Sequence, residues 1–406
     1  MSARADYFYC GDQFLGEGGR RTRNEDSAFL QPNGNGSTRT VPIHRGFCHF
    51  DGEFGRGHER EHNFTEFLCV VGARLQPNDL RGDVVDAGEF YTPRAVTLFA
   101  IEIINPQIGE TVLDPACGTG GFLTGAYEHM RHQVDTPDEL ATIKANVRGI
   151  EKKALPHLLC VTNMMVHGIE VPTTIQHGNT LARALRDYGP KDQVDIILTN
   201  PPFGGIEEDG IENNFPSEFR TRETADLFLV LVIELLKKNG RAAIVLPDGT
   251  LFGEGIKTRI KKRLVEECNL HTILRLPNNV FAPYAPLKTN VLFFTKGEPT
   301  TETWYYEHPY PEGQKSYSKT KPIRLEEFDA EKAWWGSREE SEQAWRVPIE
   351  QIVESGYNLD IKNPNTVVAG HEDPDELLAQ YREATELVRA AQDALKANLA
   401  ESLERN

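Results

Sequence analysis

The sequence has no surplus of positive charge. Its 44 Lys and Arg stand against 61 Asp and Glu, a formal net charge of -17. A chain that grips a polyanion with its own surface carries a basic face, because neutralising phosphates supplies much of the affinity. Unless the basic residues gather on one side, unaided binding of that kind is excluded. Cysteine is sparse: Cys10, Cys48, Cys69, Cys117, Cys160 and Cys268 form no C-x-x-C pair and no tight framework. This excludes a disulfide scaffold and reads as reduced thiols in a cytoplasm. No apolar run approaches the roughly 18 residues that a membrane span needs, and the N-terminus has no signal-peptide apolar core. The expectation is a soluble cytoplasmic protein with no membrane partner. With 406 residues, a large core and one or two smaller modules are affordable.

Aliphatic residues are missing where the chain begins. The first 60 positions hold only four Ile, Leu or Val (Leu15, Leu30, Val41 and Ile43), and the first lysine is Lys144. Such a stretch buries too little apolar surface to offset chain entropy, so residues 1–81, Gly- and Arg-rich, are expected to be poorly ordered. His44, Cys48, His49, His58 and His62 cluster there. His58-x-x-x-His62 suits half of a zinc site, but the matching cysteine pair is missing, so no metal is expected.

What is present starts near Gly82. Short apolar runs alternate with helical patterns: TVLD (111–114), VRGIE (147–151), VDIILTN (194–200) and RAAIVLP (241–247) read as strands, with TADLFLVLVIELLKKNG (224–240) as a helix closed by its glycine. TRIKKRLVEEC (258–268) continues as a helix, HTILRLP and TNVLFFTKG (289–297) as strands. Alternation of this kind predicts a parallel sheet with helices on both faces, an α/β doubly wound, Rossmann-like domain over 82–297. Residues 298–370 are aromatic-rich (Trp304, Tyr305, Tyr306, Tyr310, Trp334, Trp335, Trp345) and read as a peripheral extension. Over 371–406 a helical tail is expected. Asp373 suits its N-cap and Pro374 its first position, and Leu377, Tyr381, Ala384, Val388, Ala391 and Leu395 form a coiled-coil-like seam. That seam serves either docking on the chain's own body or contact with a partner chain.

Two motifs carry chemistry. DPACGTGGFL (114–123) occupies the first strand-to-helix turn, where an open α/β sheet binds its ligand. Gly118, Gly120 and Gly121 allow close backbone approach, and Asp114 ahead of them suits a ligand with a cationic amino-acid part better than a pyrophosphate. Glu151, ending the second strand, has the chemistry to hold ribose hydroxyls. The other motif, TNPPF (199–203), ends a buried strand. Pro201 and Pro202 can neither continue a strand nor enter a helix interior, so they fix a rigid turn. The Asn200 side-chain oxygen and the Pro201 carbonyl then offer two acceptors to the hydrogens of a planar, weakly nucleophilic amine, and Phe203 can stack on its ring.

In order, GEFYTPRAV (88–96), DPACGTGGFL, GIE (149–151), TNPPFGG (199–205), GRAAIVLP (240–247) and PNNVFAPYAPLKTNVLFFTKG (277–297) resemble the blocks of the modification (methyltransferase) subunit of type I restriction–modification systems, among the N6-adenine DNA methyltransferases. The resemblance is strong over 82–297 and thinner beyond. It implies methyl transfer from S-adenosyl-L-methionine to N6 of adenine. Glu89, Phe90, Tyr91, Thr92, Pro93 and Arg94 would border the methionine end of that cofactor. Asp114, Ala116, Gly118, Thr119, Gly120, Gly121 and Glu151 would complete the site, and Asn179 would stand where the family more often has an Asp for the cofactor's adenine amine. Asn200, Pro201, Pro202 and Phe203 would be catalytic. The implied partners are double-stranded DNA, a specificity subunit, a restriction subunit and a second copy of the chain. Residues 1–80 do not resemble the family's N-terminal helical domain. Two other readings fit the residues: a methyltransferase for protein glutamine or RNA, and an inactive remnant that still binds cofactor.

Overall fold

The computed structural model describes residues 29–32, 38–41, 92–169, 171–282, 287–318, 320–365 and 374–404. The chain divides into two compact units, Met1–Glu66 and Phe67–Asn406. In the first, strands β1 (Phe29–Pro32) and β2 (Thr38–Val41) pair antiparallel, with Phe29 opposite Val41 and Pro32 opposite Thr38. The signal for a hairpin was local: two Asn-Gly pairs, Asn33-Gly34 and Asn35-Gly36, stand between β-prone residues. The histidine-rich segment from His44 to His62 lies outside the described residues, as do Glu89, Phe90 and Tyr91.

The second unit is built on one sheet of nine strands. They are β3 (Val112–Asp114), β4 (Val147–Glu151), β5 (Ile175–His177), β6 (Val194–Thr199), β7 (Leu236–Pro247), β8 (Cys268–Leu276), β9 (Thr289–Lys296), β10 (Glu302–Glu307) and β11 (Ala344–Pro348), in the order β11-β10-β8-β9-β7-β6-β3-β4-β5. Helices α1 (Arg94–Ile104), α2 (Gly121–Arg131), α3 (Pro137–Asn146), α4 (Ala154–Val166), α5 (Thr224–Leu235), α6 (Asp248–Phe252), α7 (Ile256–Glu267), α8 (Asp329–Gly336) and α9 (Ile349–Glu354) connect and flank it. Alternate residues of each strand feed opposite cores. Val112, Ile196, Leu198, Ala243, Val245 and Phe293 join α1, α2 and α4 on one face. Leu113, Ile197, Ala242, Ile244, Leu292 and Phe294 join α5 and α7 on the other. This period of two, doubled because both faces are covered, makes the strands read as continuous apolar runs. The doubly wound Rossmann-like fold is as expected.

Three details differ from the sequence reading. The sheet is mixed, since β9 runs antiparallel to both β7 and β8. Parallel neighbours need a long crossover, usually helical, and β8 and β9 are joined by a proline-rich connection instead. Second, α5 stops at Leu235 rather than at Gly240, because Leu236 is drawn into the sheet opposite Val194; the ladder outweighs local helix propensity. Third, the described residues of 298–370 are not peripheral. Strand β10 pairs with β8 in parallel and β11 pairs with β10 antiparallel, so the sheet continues past residue 297. The aromatic residues there are structural: Tyr305 stacks on its cross-strand partner Trp345 at 5.2 Å, and Phe328 stacks on Phe99 of α1 at 4.5 Å.

The tail is helix α10 (Pro374–Glu404), as the periodicity predicts. Of the seam, Tyr381, Ala384, Val388, Ala391 and Leu395 are exposed, so it is not docked on the chain's own body at these positions. Among the described residues no helix is long and apolar enough to cross a membrane, and no group of three or more His, Cys, Asp or Glu is placed to hold a metal ion.

Candidate active site

Strands β3, β4, β5, β6 and β7 are mutually parallel, so their carboxyl ends share one edge of the sheet. Asp114 ends β3 and Glu151 ends β4, both carboxylates buried (2% and 6% exposed). Asp114 Oδ1 accepts from the Ala116 amide at 3.1 Å and from the Thr199 hydroxyl at 2.7 Å. Among the described residues nothing donates to Oδ2. Burial pushes the Asp114 carboxyl up from its ordinary 3.8 to about 7; the two hydrogen bonds pull it down, and the nearby Glu151 charge pushes it further up. A buried carboxylate in this condition calls for a cation. Glu151 Oε2 accepts from the Gly118 amide at 2.9 Å and Oε1 from the Lys153 amide at 2.7 Å, which ties the glycine turn to the end of β4. Each oxygen keeps a further lone pair for a hydroxyl donor.

The glycines divide the labour. Gly118 has φ +54, and a Cβ there would meet nothing within 4 Å, so it borders open space; Gly121 does too. At Gly120 a requirement for glycine comes from inside the fold. Its φ is +85 and a Cβ would lie 2.7 Å from Cys160 Sγ in α4. The Cys117 and Cys160 sulfurs are 3.8 Å apart, and their hydrogen bond with burial raises the Cys117 thiol well above its usual range. These are packing thiols, poor nucleophiles. The Asn163 side chain of α4 donates to the Thr119 carbonyl at 3.2 Å and steadies the turn from below.

Asn200 follows β6 at the same edge. Its amide Nδ2 donates to Thr92 Oγ1 at 2.9 Å, across 108 positions of sequence. Thr92 precedes Pro93, the N-cap of α1, and Arg94 begins that helix. The described end of the GEFYTPR block is thereby brought onto the TNPPF turn. Thr199, bonded to Asp114, joins that turn to the glycine motif. Pro201 is buried and Pro202 half-buried. Phe203 is 3% exposed and packs edge-on against Phe281, centroids 5.5 Å apart, so a planar ligand reaches its face only by displacing part of this cover. Asn179, two residues beyond β5, is committed internally. Its Oδ1 accepts from the Leu181 amide at 3.0 Å, and its Nδ2 donates to Glu207 Oε2 at 3.2 Å.

A family model for N-6 DNA methylases matches residues 82–373. The chain belongs to the N-6 DNA methylase family. Every block that carried the resemblance lies inside the matched span. The methylase subunit of the type I restriction enzyme EcoEI from Escherichia coli is 60% identical over 327 residues, 78% of this chain and 66% of that protein. The StySPI methylase subunit from Salmonella potsdam is 39% identical over 221 residues, 52% of this chain and 41% of that one. A crystal structure of a modification subunit, assigned to a type I restriction enzyme of Vibrio vulnificus YJ016, superposes with a TM-score of 0.70. It is 44% identical and covers 80% of this chain and 68% of that one. This N-6 DNA methylase chain thus spans about two thirds or less of the length of these curated relatives.

Sequence reasoning missed three residues that tie the elements of the site together. Thr199 stood within the quoted motif, but its bond to Asp114 depends on β3 and β6 being neighbours. Lys152 and Glu207, joined at 3.1 Å, are 55 positions apart with no local pattern to announce them.

Proposed function

We propose that the chain is the modification subunit of a type I restriction–modification complex and transfers a methyl group from S-adenosyl-L-methionine to N6 of adenine in duplex DNA. One observation carries the reading. The Asn200-Pro201 turn stands at the same strand edge as the buried Asp114 and Glu151 carboxylates, bonded through Thr199 to the first. The residues fit the cofactor: Asp114, with one oxygen lacking a donor among the described residues, suits its ammonium group. Glu151 suits the ribose hydroxyls, and the turn of Ala116, Gly118, Thr119, Gly120 and Gly121 offers backbone, with open space beside Gly118 and Gly121. Thr92, Pro93 and Arg94 border the methionine end.

When bound, the cofactor supplies an electrophilic methyl sulfonium. The chain's own work is alignment. The N6 lone pair of adenine is delocalised into the ring, so the amine is a weak nucleophile. Because Thr92 receives the Asn200 amide hydrogen, the carbonyl end of that side chain is set as the acceptor. Asn200 Oδ1 and the Pro201 carbonyl bond the two N6 hydrogens and draw the nitrogen toward tetrahedral geometry. The Pro201-Pro202 turn holds both acceptors rigid, and Phe203 underlies the base once its cover shifts.

The charge of -17 assigns sequence reading and most phosphate contact to a separate specificity subunit, since base extrusion costs a few kcal/mol that contacts to DNA supply. The exposed seam of α10, with Tyr381, Ala384, Val388, Ala391 and Leu395, suits a contact with a partner chain. A restriction subunit and a second copy of the chain complete the complex, acting in a cytoplasm that keeps Cys117, Cys160 and Cys268 reduced.

The test uses the chain with its cognate specificity subunit, a duplex carrying the recognition sequence, and labelled cofactor, with the nucleosides separated after digestion. N6-methyladenosine should carry the label, and Asn200→Ala should slow its formation by ~10²–10³, the usual loss for one preorganised hydrogen bond. Label in protein glutamine or RNA instead, or an undiminished rate in Asn200→Ala, would refute the reading.

A further inference from the structure

Strand β7 overreaches the Asn-Pro-Pro turn. Ile244 is the ladder partner of Thr199, and Val245, Leu246 and Pro247 continue for about 10 Å before α6 begins. Helix α6 therefore forms a rim beyond Asn200, on the edge of the sheet that carries the candidate site. It ends on Phe252, whose side chain is 54% exposed.

The mount of that ring is built from inside the fold. Lys261 of α7 is 1% exposed, and its ammonium donates to the carbonyls on either side of Phe252, Leu251 at 2.6 Å and Gly253 at 2.8 Å. The Leu359 amide donates to the Leu251 carbonyl as well, at 3.1 Å, and the Leu251 side chain is buried. Burial pushes the Lys261 ammonium down from 10.5 to about 8, so the fold keeps a charge there at a cost. A scattered exposed apolar side chain needs no explanation. One held in place by a buried ammonium does.

The same rim is joined to the segment that carries Asn200. The Lys257 stem lies against Gly253, where a Cβ would collide with it. Its ammonium pairs with Asp226 at 2.8 Å and with Glu223. Glu223 bridges to Ile206, and the Thr224 amide and hydroxyl both donate to the Gly205 carbonyl. Gly205 closes the TNPPFGG motif, so Phe252 and the reacting turn share one frame. The exposed charges that follow these two segments are acidic (Glu208, Asp209 and Glu254), so the rim suits bases rather than phosphates.

The next step rests on the proposed methylation of duplex DNA. To reach Asn200 the target adenine leaves the stack, and lost stacking is part of what that costs. Apolar side chains inserted between base steps hold a duplex unstacked. We infer that Phe252 enters the duplex beside the extruded adenine, fills the gap in the stack, and so stabilises the extruded state without touching the reacting amine.

The test uses the chain with its cognate specificity subunit and single-turnover methylation of two duplexes. One pairs the target adenine with thymine, and the other places an abasic position opposite it. Phe252→Ala should slow methylation of the paired duplex about 10-fold or more, the range for one base stacked on an aromatic ring. On the second duplex, where extrusion breaks no base pair, the loss should be about threefold or less. Phe252→Leu, still an apolar wedge, should lose about threefold or less on either. With 2-aminopurine at the target position, fluorescence should rise on binding the unsubstituted complex and much less with Phe252→Ala. No loss with Phe252→Ala, equal losses on the two duplexes, or an undiminished fluorescence rise overturns the assignment. So does failure of Phe252→Ala to co-elute with the specificity subunit, which would make the ring a protein contact. If the unsubstituted complex methylates neither duplex, the methylation reading itself fails.

Discussion

Replacing Asp114 by Asn should make the ligand-free protein more stable and its cofactor binding weaker. Asp114 is 2% exposed, and its carboxyl is pushed from 3.8 to about 7, chiefly by burial. At 1.36 kcal/mol per pH unit, that displacement amounts to about 4 kcal/mol that the folded chain forgoes when Asp114 is ionised. A carboxyl whose folded pKa is raised contributes its stability fully below about 3.8 and loses it as pH rises through about 7. Both recorded donors, the Ala116 amide and the Thr199 hydroxyl, reach Oδ1, which an asparagine carbonyl reproduces. Asp114→Asn should therefore exceed the unsubstituted chain by ~2–4 kcal/mol at pH 8, and the gap should close toward pH 4. Urea unfolding of the ligand-free proteins at pH 4, 6 and 8 measures it. Calorimetry with S-adenosylhomocysteine at pH 8 should show binding weakened by roughly 10- to 100-fold, because the ligand's ammonium loses a charged partner. A variant that is less stable at pH 8, or a stability difference independent of pH, would show that the buried charge is compensated within the chain. Unchanged affinity would move the ammonium elsewhere.

Two further outcomes follow from the same structure. Gly120→Ala should lose ~2–5 kcal/mol, combining the left-handed backbone penalty of ~1–2 with ~1–3 for overpacking against Cys160 Sγ. Adding Cys160→Ala should return only the steric part, so complete recovery in thermal unfolding would mean that the φ of +85 carries no penalty. The isolated chain should bind S-adenosylhomocysteine yet show no sequence-specific duplex binding in a gel shift at physiological salt, given its net charge of -17; a tight specific complex with the chain alone contradicts the partner assignment.

The doubly wound core was legible because its strands are buried on both faces and keep near-continuous apolar runs, bounded by Gly and Pro, in VDIILT and RAAIVLP. The tail helix was legible from its period and its leading proline. The glycine turn and the Asn-Pro-Pro turn were legible as chemistry because the backbone demands of Gly and Pro are local. Where the strand order intervened, sequence was silent. That β9 enters between β7 and β8, and that β10 and β11 extend the sheet so that Tyr305 meets Trp345, depend on pairings between distant segments. Helix α5 ends at Leu235 because a ladder partner, Val194, outweighs a helical sequence that runs on to Gly240. The site divides in the same way. Asp114, Glu151 and Asn200 were identifiable as residue types at strand ends, but their union is tertiary: Thr199 reaches Asp114 over 85 positions and Asn200 reaches Thr92 over 108. The demand that Cys160 makes for a glycine at position 120 exists only in the fold. Glu207 carried no signal at all, because what sets it apart is burial and two donors from β4 and β5, and neither exists until the sheet has formed.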